Sequence, residues 1–150
     1  MQVLEWARTQ RVVRVVSDQI GSPTWCRMLA QVTALALAPG IRGIRSWIRE
    51  RAGVYHLAGS GQASRLEWAR SVLEADHRRA EQMAESVEPA SSSDFPGGAR
   101  RPAYSALCSL KFRRTFGVEL AGWRETLYLA INDPQVDPRQ GSAGALPSAV

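Results

Sequence analysis

Lysine is almost absent from this chain. Of its 19 basic side chains 18 are arginine, and Lys111 is the single lysine. Against 14 acidic residues this leaves a net charge of +5 and an isoelectric point near 10.0. Such a balance suits a phosphate-bearing partner, from a nucleotide sugar to a nucleic acid. No zinc-finger, RNA-recognition or basic-zipper pattern accompanies the charge, so nucleic acid is not an expected partner. Cysteine is nearly absent too. Cys26 and Cys108 stand far apart, and with two histidines and no Cys-x-x-Cys pair there is neither a disulfide framework nor a metal-ligand cluster. Reduced thiols and a cytoplasmic location are expected. No apolar run reaches the roughly 18 residues of a membrane span. Met1–Glu5 has neither the basic start nor the apolar centre of a signal peptide. A membrane is therefore not expected as a partner. What remains is an ordinary globular composition, 45% hydrophobic and 22% charged, over 150 residues, enough for one domain or part of a larger one.

Along the chain, strand-like and helix-like periods alternate. Residues 2–8 read as the end of a helix, and Arg11–Val16 as a strand. From Trp25 to Leu37, Met28, Leu29, Val32, Leu35 and Ala36 fall on one helical face, and Pro39-Gly40 ends it. Ile41–Arg51 reads as a short amphipathic piece with Ile41, Ile44 and Ile48 on one face and Arg42, Arg45 and Arg49 on another. Val54–Leu57 is expected as a strand. Ser64 with Glu67 forms a capping box opening a helix to about Ala84, with Leu66, Ala69, Val72 and Leu73 buried. Val87–Ser93 and Ser105–Cys108 are candidate strands, Phe95–Gly98 a loop, and Ser109–Thr115 and Ala121–Ile131 helices. The order predicts an α/β fold with a parallel pair from Val12–Val16 and Val54–Leu57. Residues 1–132 are expected to fold, and 133–150, rich in Pro, Gly, Ser and Ala, to form a disordered tail.

The most specific stretch is Ser17-Asp18-Gln19-Ile20-Gly21-Ser22-Pro23-Thr24-Trp25, a polar loop between a strand and a helix, where open α/β sheets place ligands. Its Asp-Gln-x-Gly-x-Pro-Thr string resembles the loop that opens the C-terminal half of dTDP-4-dehydrorhamnose reductases, of the extended short-chain dehydrogenase superfamily. Three further segments resemble that family in the same order. They are Gly53-Val54-Tyr55-His56-Leu57-Ala58-Gly59, Ala99-Arg100-Arg101-Pro102, and Phe116-Gly117-Val118-Glu119-Leu120 with Trp123-Arg124-Glu125. Two departures stand out. The helix after the loop reads Arg27-Met28-Leu29-Ala30 where the family has Arg-Asp-Leu-Ala, and Pro96-Gly97-Gly98 replaces Pro-Thr-Pro.

The resemblance implies an incomplete NAD(P)-binding Rossmann-like fold with a small helical C-terminal substrate lobe. It also implies a dTDP-sugar as partner. NADPH is the cofactor of the complete family enzyme. Such an enzyme needs a Gly-x-x-Gly-x-x-Gly turn and a Tyr-x-x-x-Lys pair. Neither is in this sequence, since Gly59, Cys108 and Asn132 stand four positions after Tyr55, Tyr104 and Tyr128. No catalytic residue and no cofactor bound by this chain alone are expected. The resemblance places Gln19, Gly21, Pro23, Thr24 and Trp25 at the sugar-nucleotide pocket, and Arg100 or Arg101 at the diphosphate, whose oxygens match a guanidinium fork. By local chemistry alone the loop is equally a well-made turn with Thr24 as helix N-cap, and the arginine pair a solvated brace. Gly59-Ser60-Gly61-Gln62-Ala63-Ser64 imitates a dinucleotide fingerprint but has Ser64 in place of the third glycine, and reads as an ordinary strand–turn–helix. His56 is expected as a structural mid-strand residue, His77 as solvated, and Trp68 and Trp123 as core. Two functions follow. One is the substrate lobe of a reductase, inactive alone. The other is a non-catalytic binding module that completes a separately encoded N-terminal half.

Overall fold

The computed structural model describes residues 2–95 and 101–133. Helix α1 (Gln2–Thr9) leads into strand β1 (Val12–Val16) and the two-residue β2 (Ile20–Gly21). Helices α2 (Cys26–Leu37) and α3 (Ile44–Glu50) follow, then β3 (Ala63–Ser64), α4 (Arg65–Glu74) and β4 (Ser86–Ala90). Helices α5 (Leu110–Phe116) and α6 (Trp123–Ile131) close the described chain. β1 pairs in parallel with β4, Val12 opposite Ser86 through Val16 opposite Ala90, and β2 pairs antiparallel with β3.

Alternation makes β1 a strand: Val13 and Val15 are buried between exposed Val12 and Arg14. They meet Val3 and Ala7 of α1, the expected stripe Leu66, Ala69, Val72 and Leu73 of α4, and Trp123 and Leu127 of α6. A second cluster joins Val32 and Ala36 of α2 to Phe112 and Leu120, with Tyr55 edge-on to Phe112 and Phe116. The capping box is present: the Ser64 hydroxyl accepts from the Glu67 N–H at 3.0 Å, and the Ser64 N–H donates to the Glu67 carboxylate at 3.0 Å.

Several expectations are corrected. Val54–Leu57 is not a strand. The Val54 carbonyl accepts from Lys111 Nζ at 2.9 Å, and the N–H groups just past the segment, of Ala58 and Gly59, donate to Ser109 Oγ and Thr24 Oγ1. β4 is the strand that pairs with β1. His56 is consequently an exposed loop residue, whereas His77 is exposed as expected. Helix α4 ends at Glu74, ten residues early, because Asp76 organises a turn. Its carboxylate accepts from the Arg78 N–H and from Gln82 Nε2, while Gln82 Nε2 also donates to the Leu73 carbonyl. Arg8 clamps the same carboxylate at 2.8 Å. Leu35, expected on the packed face of α2, is 58% exposed. Ser105–Cys108 contributes no strand. Arg100, Pro96–Gly98 and 134–150 lie outside the described residues.

Candidate functional site

Three polar loops converge at the carboxyl end of β1. The first is the 17–25 segment. Asp18 anchors its start: the carboxylate accepts from the Ser92 N–H at 3.0–3.1 Å and from the Ser92 and Ser91 hydroxyls. These bonds, the Ser92 N–H foremost, hold its pKa below the ordinary 3.8 against the opposing effect of desolvation. The Gln19 carbonyl accepts from the Arg65 N–H at 3.1 Å, which ties the loop to the first turn of α4.

The second loop, 101–107, lies alongside. The Ile20 N–H donates to the Ala103 carbonyl and the Ser105 N–H to the Ile20 carbonyl, each at 2.8 Å. The Leu107 N–H donates to Ser22 Oγ at 3.1 Å. This pairing carries Arg101 and Pro102 to the same cavity as the first loop. The third loop, 58–62, closes from behind. The Gly59 N–H donates to Thr24 Oγ1, which itself donates to the Ser22 carbonyl, both at 3.0 Å. Thr24 is thus a bracket between loops and not the N-cap of α2. Trp25 takes the cap position, without a side-chain hydrogen bond.

Between the loops lies an open cavity of about 920 Å³. Gln19, Gly21, Pro23, Thr24 and Trp25 all line it, and so does Arg101. Arg65, Ser22 and Ser105 line it as well, and sequence reading did not single them out; Trp68, expected as core, is half-buried against the main cluster and lines it too. Arg65 and Trp68 were legible in principle, because they stand one turn apart just after a recognisable helix cap at the loop. Trp123, expected as core, and Leu127, which sequence reading did not name, line the cavity while they complete the main cluster. Arg27 stands 5.6 Å over the Trp25 ring and pairs with Asp133, just beyond α6.

The described lining holds two guanidinium groups and several indole and aliphatic surfaces, but no carboxylate, imidazole, thiol, amine or phenol. Such a wall can hold a flat, anion-bearing ligand by stacking and charge-assisted hydrogen bonds. It offers no group that exchanges a proton near neutral pH. Among the described residues no three His, Cys, Asp or Glu side chains gather to hold a metal ion, and no helix is long and apolar enough to cross a membrane.

The family model described as the RmlD substrate binding domain matches residues 1–136. A dTDP-4-dehydrorhamnose reductase of Burkholderia thailandensis is 34% identical over 134 residues, 87% of this chain and 45% of the relative. One of Mycobacterium tuberculosis is 37% identical over 125 residues, 81% of this chain and 36% of the relative. The chain spans less than half the length of the curated relatives it matches. Among solved structures, a dTDP-4-dehydrorhamnose reductase of Clostridium acetobutylicum superposes with a TM-score of 0.69 at 25% identity, covering 87% of this chain and 41% of that one. One from Bacillus anthracis in complex with NADP gives 0.65 at 25%, over 85% and 39%.

Proposed function

The chain belongs to the RmlD substrate binding domain family, and from that premise we propose that it is the sugar-nucleotide-binding part of an NADPH-dependent dTDP-4-dehydrorhamnose reductase, in the cytoplasm. Its α/β architecture is part of a Rossmann-like fold. One observation carries the reading: three loops, brought together by backbone hydrogen bonds and the Ser22 and Thr24 hydroxyls, set Gln19, Gly21, Pro23, Thr24, Trp25 and Arg101 around one cavity. In this reading Arg101, with Arg100 beside it in sequence, takes the diphosphate of a dTDP-sugar, and the 19–24 loop meets the sugar. Arg65 is a second fixed positive charge on the same wall.

A nicotinamide cofactor does not fit this chain's own residues. Gly59 is packed against the Pro23 carbonyl, and a Cβ on Gly61 would meet the Trp123 ring at 3.3 Å, so their space serves internal packing and not a pyrophosphate cradle. With no Tyr-x-x-x-Lys and no proton-exchanging group in the described lining, no hydride or proton step is assigned to these residues. Binding and orientation are their share. A second reading, a non-catalytic module that completes a separately encoded N-terminal half, draws on β1. Among the described residues β1 pairs on one side only, with β4, which leaves an open strand edge for a parallel partner.

The test recombines the chain with the cofactor-binding half of a family member and titrates dTDP calorimetrically. A lost charge-assisted contact is worth roughly 1.5–3 kcal/mol, so Arg101→Ala or Arg100→Ala should weaken binding roughly tenfold to a hundredfold, and an Arg78→Ala control should not. If neither variant differs from the control, the diphosphate assignment fails. The chain alone should not oxidise NADPH with dTDP-4-dehydrorhamnose, and turnover above a blank would contradict the division of labour.

A further inference from the structure

Helix α3 and the turn before it make almost no use of their side chains inside the protein. None of residues 44–50 is buried. The segment hangs by Trp47, whose indole N–H donates to the Ala36 carbonyl at 3.2 Å and whose ring fills the space over Gly40. Arg51 stacks on that ring at 3.5 Å and pairs with Glu50, so both are spoken for. What faces outward is a mixture. Ile41 is 81% exposed, Ile48 51% and Ile44 39%. Arg42, Arg45 and Arg49 lie among them, and among the described residues no hydrogen bond, ion pair or ring contact holds the side chain of any of the three. Ile44 with Ile48, and Arg45 with Arg49, each stand one helical turn apart, so the two stripes run side by side. Ile41, Ile44 and the three arginines line one shallow, open hollow made entirely by this segment.

From this we propose that α3 and its preceding turn form a docking surface for an anionic lipid bilayer. The isoleucines enter the boundary between headgroups and acyl chains, and the three arginines meet lipid phosphates in and around the hollow. An apolar stripe flanked by a stripe of cations, on a short exposed helix, suits a helix lying in the plane of an interface. The charge complementarity is direct, since three guanidinium groups with no ion pair among the described residues face outward and the one carboxylate of the segment, Glu50, is bound to Arg51. Nucleic acid fits less well. It would leave three isoleucines in water, and the segment's only aromatic ring is covered by Arg51 and so presents no stacking face. The expectation that no membrane is a partner rests on the lack of a spanning segment, and a surface contact needs none.

The test is flotation of the full chain with vesicles of 30% phosphatidylglycerol in phosphatidylcholine, against pure phosphatidylcholine, at low salt and in 0.5 M NaCl. Binding to the anionic vesicles alone, weakened by salt, is expected. Each arginine near such a surface is worth about fivefold in partitioning, so Arg42→Gln/Arg45→Gln/Arg49→Gln should lower it on the order of a hundredfold. Ile41→Ser/Ile44→Ser/Ile48→Ser should also lower it at least tenfold, because the methylene groups leave the interface. A control of equal charge, Arg78→Gln/Arg79→Gln/Arg114→Gln, should lose much less. Absence of wild-type flotation, or equal loss in the control, overturns the proposal. So does an isoleucine variant that binds like wild type, which would mean adsorption by charge alone. Tighter binding of a duplex oligonucleotide through the same arginines, unaffected by the isoleucine changes, would assign the face to nucleic acid instead.

Discussion

Gly59 lies directly against the carbonyl oxygen of Pro23, so close that a Cβ at Gly59 would overlap it. The contact is backbone to backbone, and neither side has a flexible end that can yield. Gly59→Ala should therefore destabilise by about 1–3 kcal/mol through overpacking and push the 22–24 segment away from its place. Gly117 offers the contrast. It closes α5 in the left-handed region, at φ 72°, with open space around it. Gly117→Ala should cost only about 1–2 kcal/mol of local strain and leave the cavity intact. Urea denaturation together with dTDP titration of the recombined protein separates the two. Equal loss of binding in both variants would refute the Gly59 assignment.

Thr24 should behave as a bracket whose hydroxyl matters more than its methyl group. Thr24→Val leaves the buried Gly59 N–H without its acceptor, a loss of about 1–3 kcal/mol. Thr24→Ser keeps the oxygen and should lose less than about 1 kcal/mol. Faster amide exchange at Gly59 in the valine variant, and not in the serine one, is the specific signature to look for.

The Arg8–Asp76 junction carries a pH dependence. The Asp76 side chain is 7% exposed. Desolvation pushes its pKa up, but Gln82 Nε2, the Arg78 N–H and the charges of Arg8 and Arg78 outweigh it, and the carboxyl titrates below the ordinary 3.8. A depressed carboxyl contributes stability that is present above the unfolded-state pKa, about 3.8, and is lost as pH falls through the lower folded value. Asp76→Asn should lower stability near pH 7 by about 1–3 kcal/mol and flatten the acid limb of the stability curve below about pH 4. An unchanged limb would show that other carboxyls govern it.

Removing the α4 cap should be measurable and independent of these effects. Ser64→Ala deletes the acceptor for the Glu67 N–H, with an expected loss of about 1 kcal/mol. Ser64→Asp should recover most of it. A thermal midpoint for the alanine variant equal to that of the wild type would contradict the cap.

The elements that sequence reading located are those whose signal is local. β1 alternates, α4 opens with its own cap, and the 19–25 loop combines turn chemistry with a rare string. Where it failed, a distant side chain decides. Nothing within Val54–Leu57 announces that Lys111 will take the Val54 carbonyl, or that Ser109 and Thr24 will take the N–H groups just past it, so its β-branched and aromatic composition suggests a ladder it does not form. The end of α4 depends on Asp76 meeting Arg8 from a different helix, and the helical period runs on through a break it cannot register. For the cavity, loop residues were legible one by one, but the pairing of Ile20 with Ala103 and Ser105 that brings Arg101 alongside spans more than eighty positions and leaves no short-range trace.

The same distance governs how this chain folds and varies. Asp18 and Ser92, which staple the ends of the parallel pair, are 74 positions apart, and α2, α3 and α4 all lie inside the loop they close. Closing so long a loop must precede its rewards, which predicts slow folding of the β1–β4 pair relative to the helices. Once that entropy is spent, extra length is almost free, since doubling a loop adds only about 0.6 kcal/mol. The α3 excursion therefore sits where insertion and deletion are cheapest, and the chain can acquire or discard a whole surface helix without disturbing the register of its sheet.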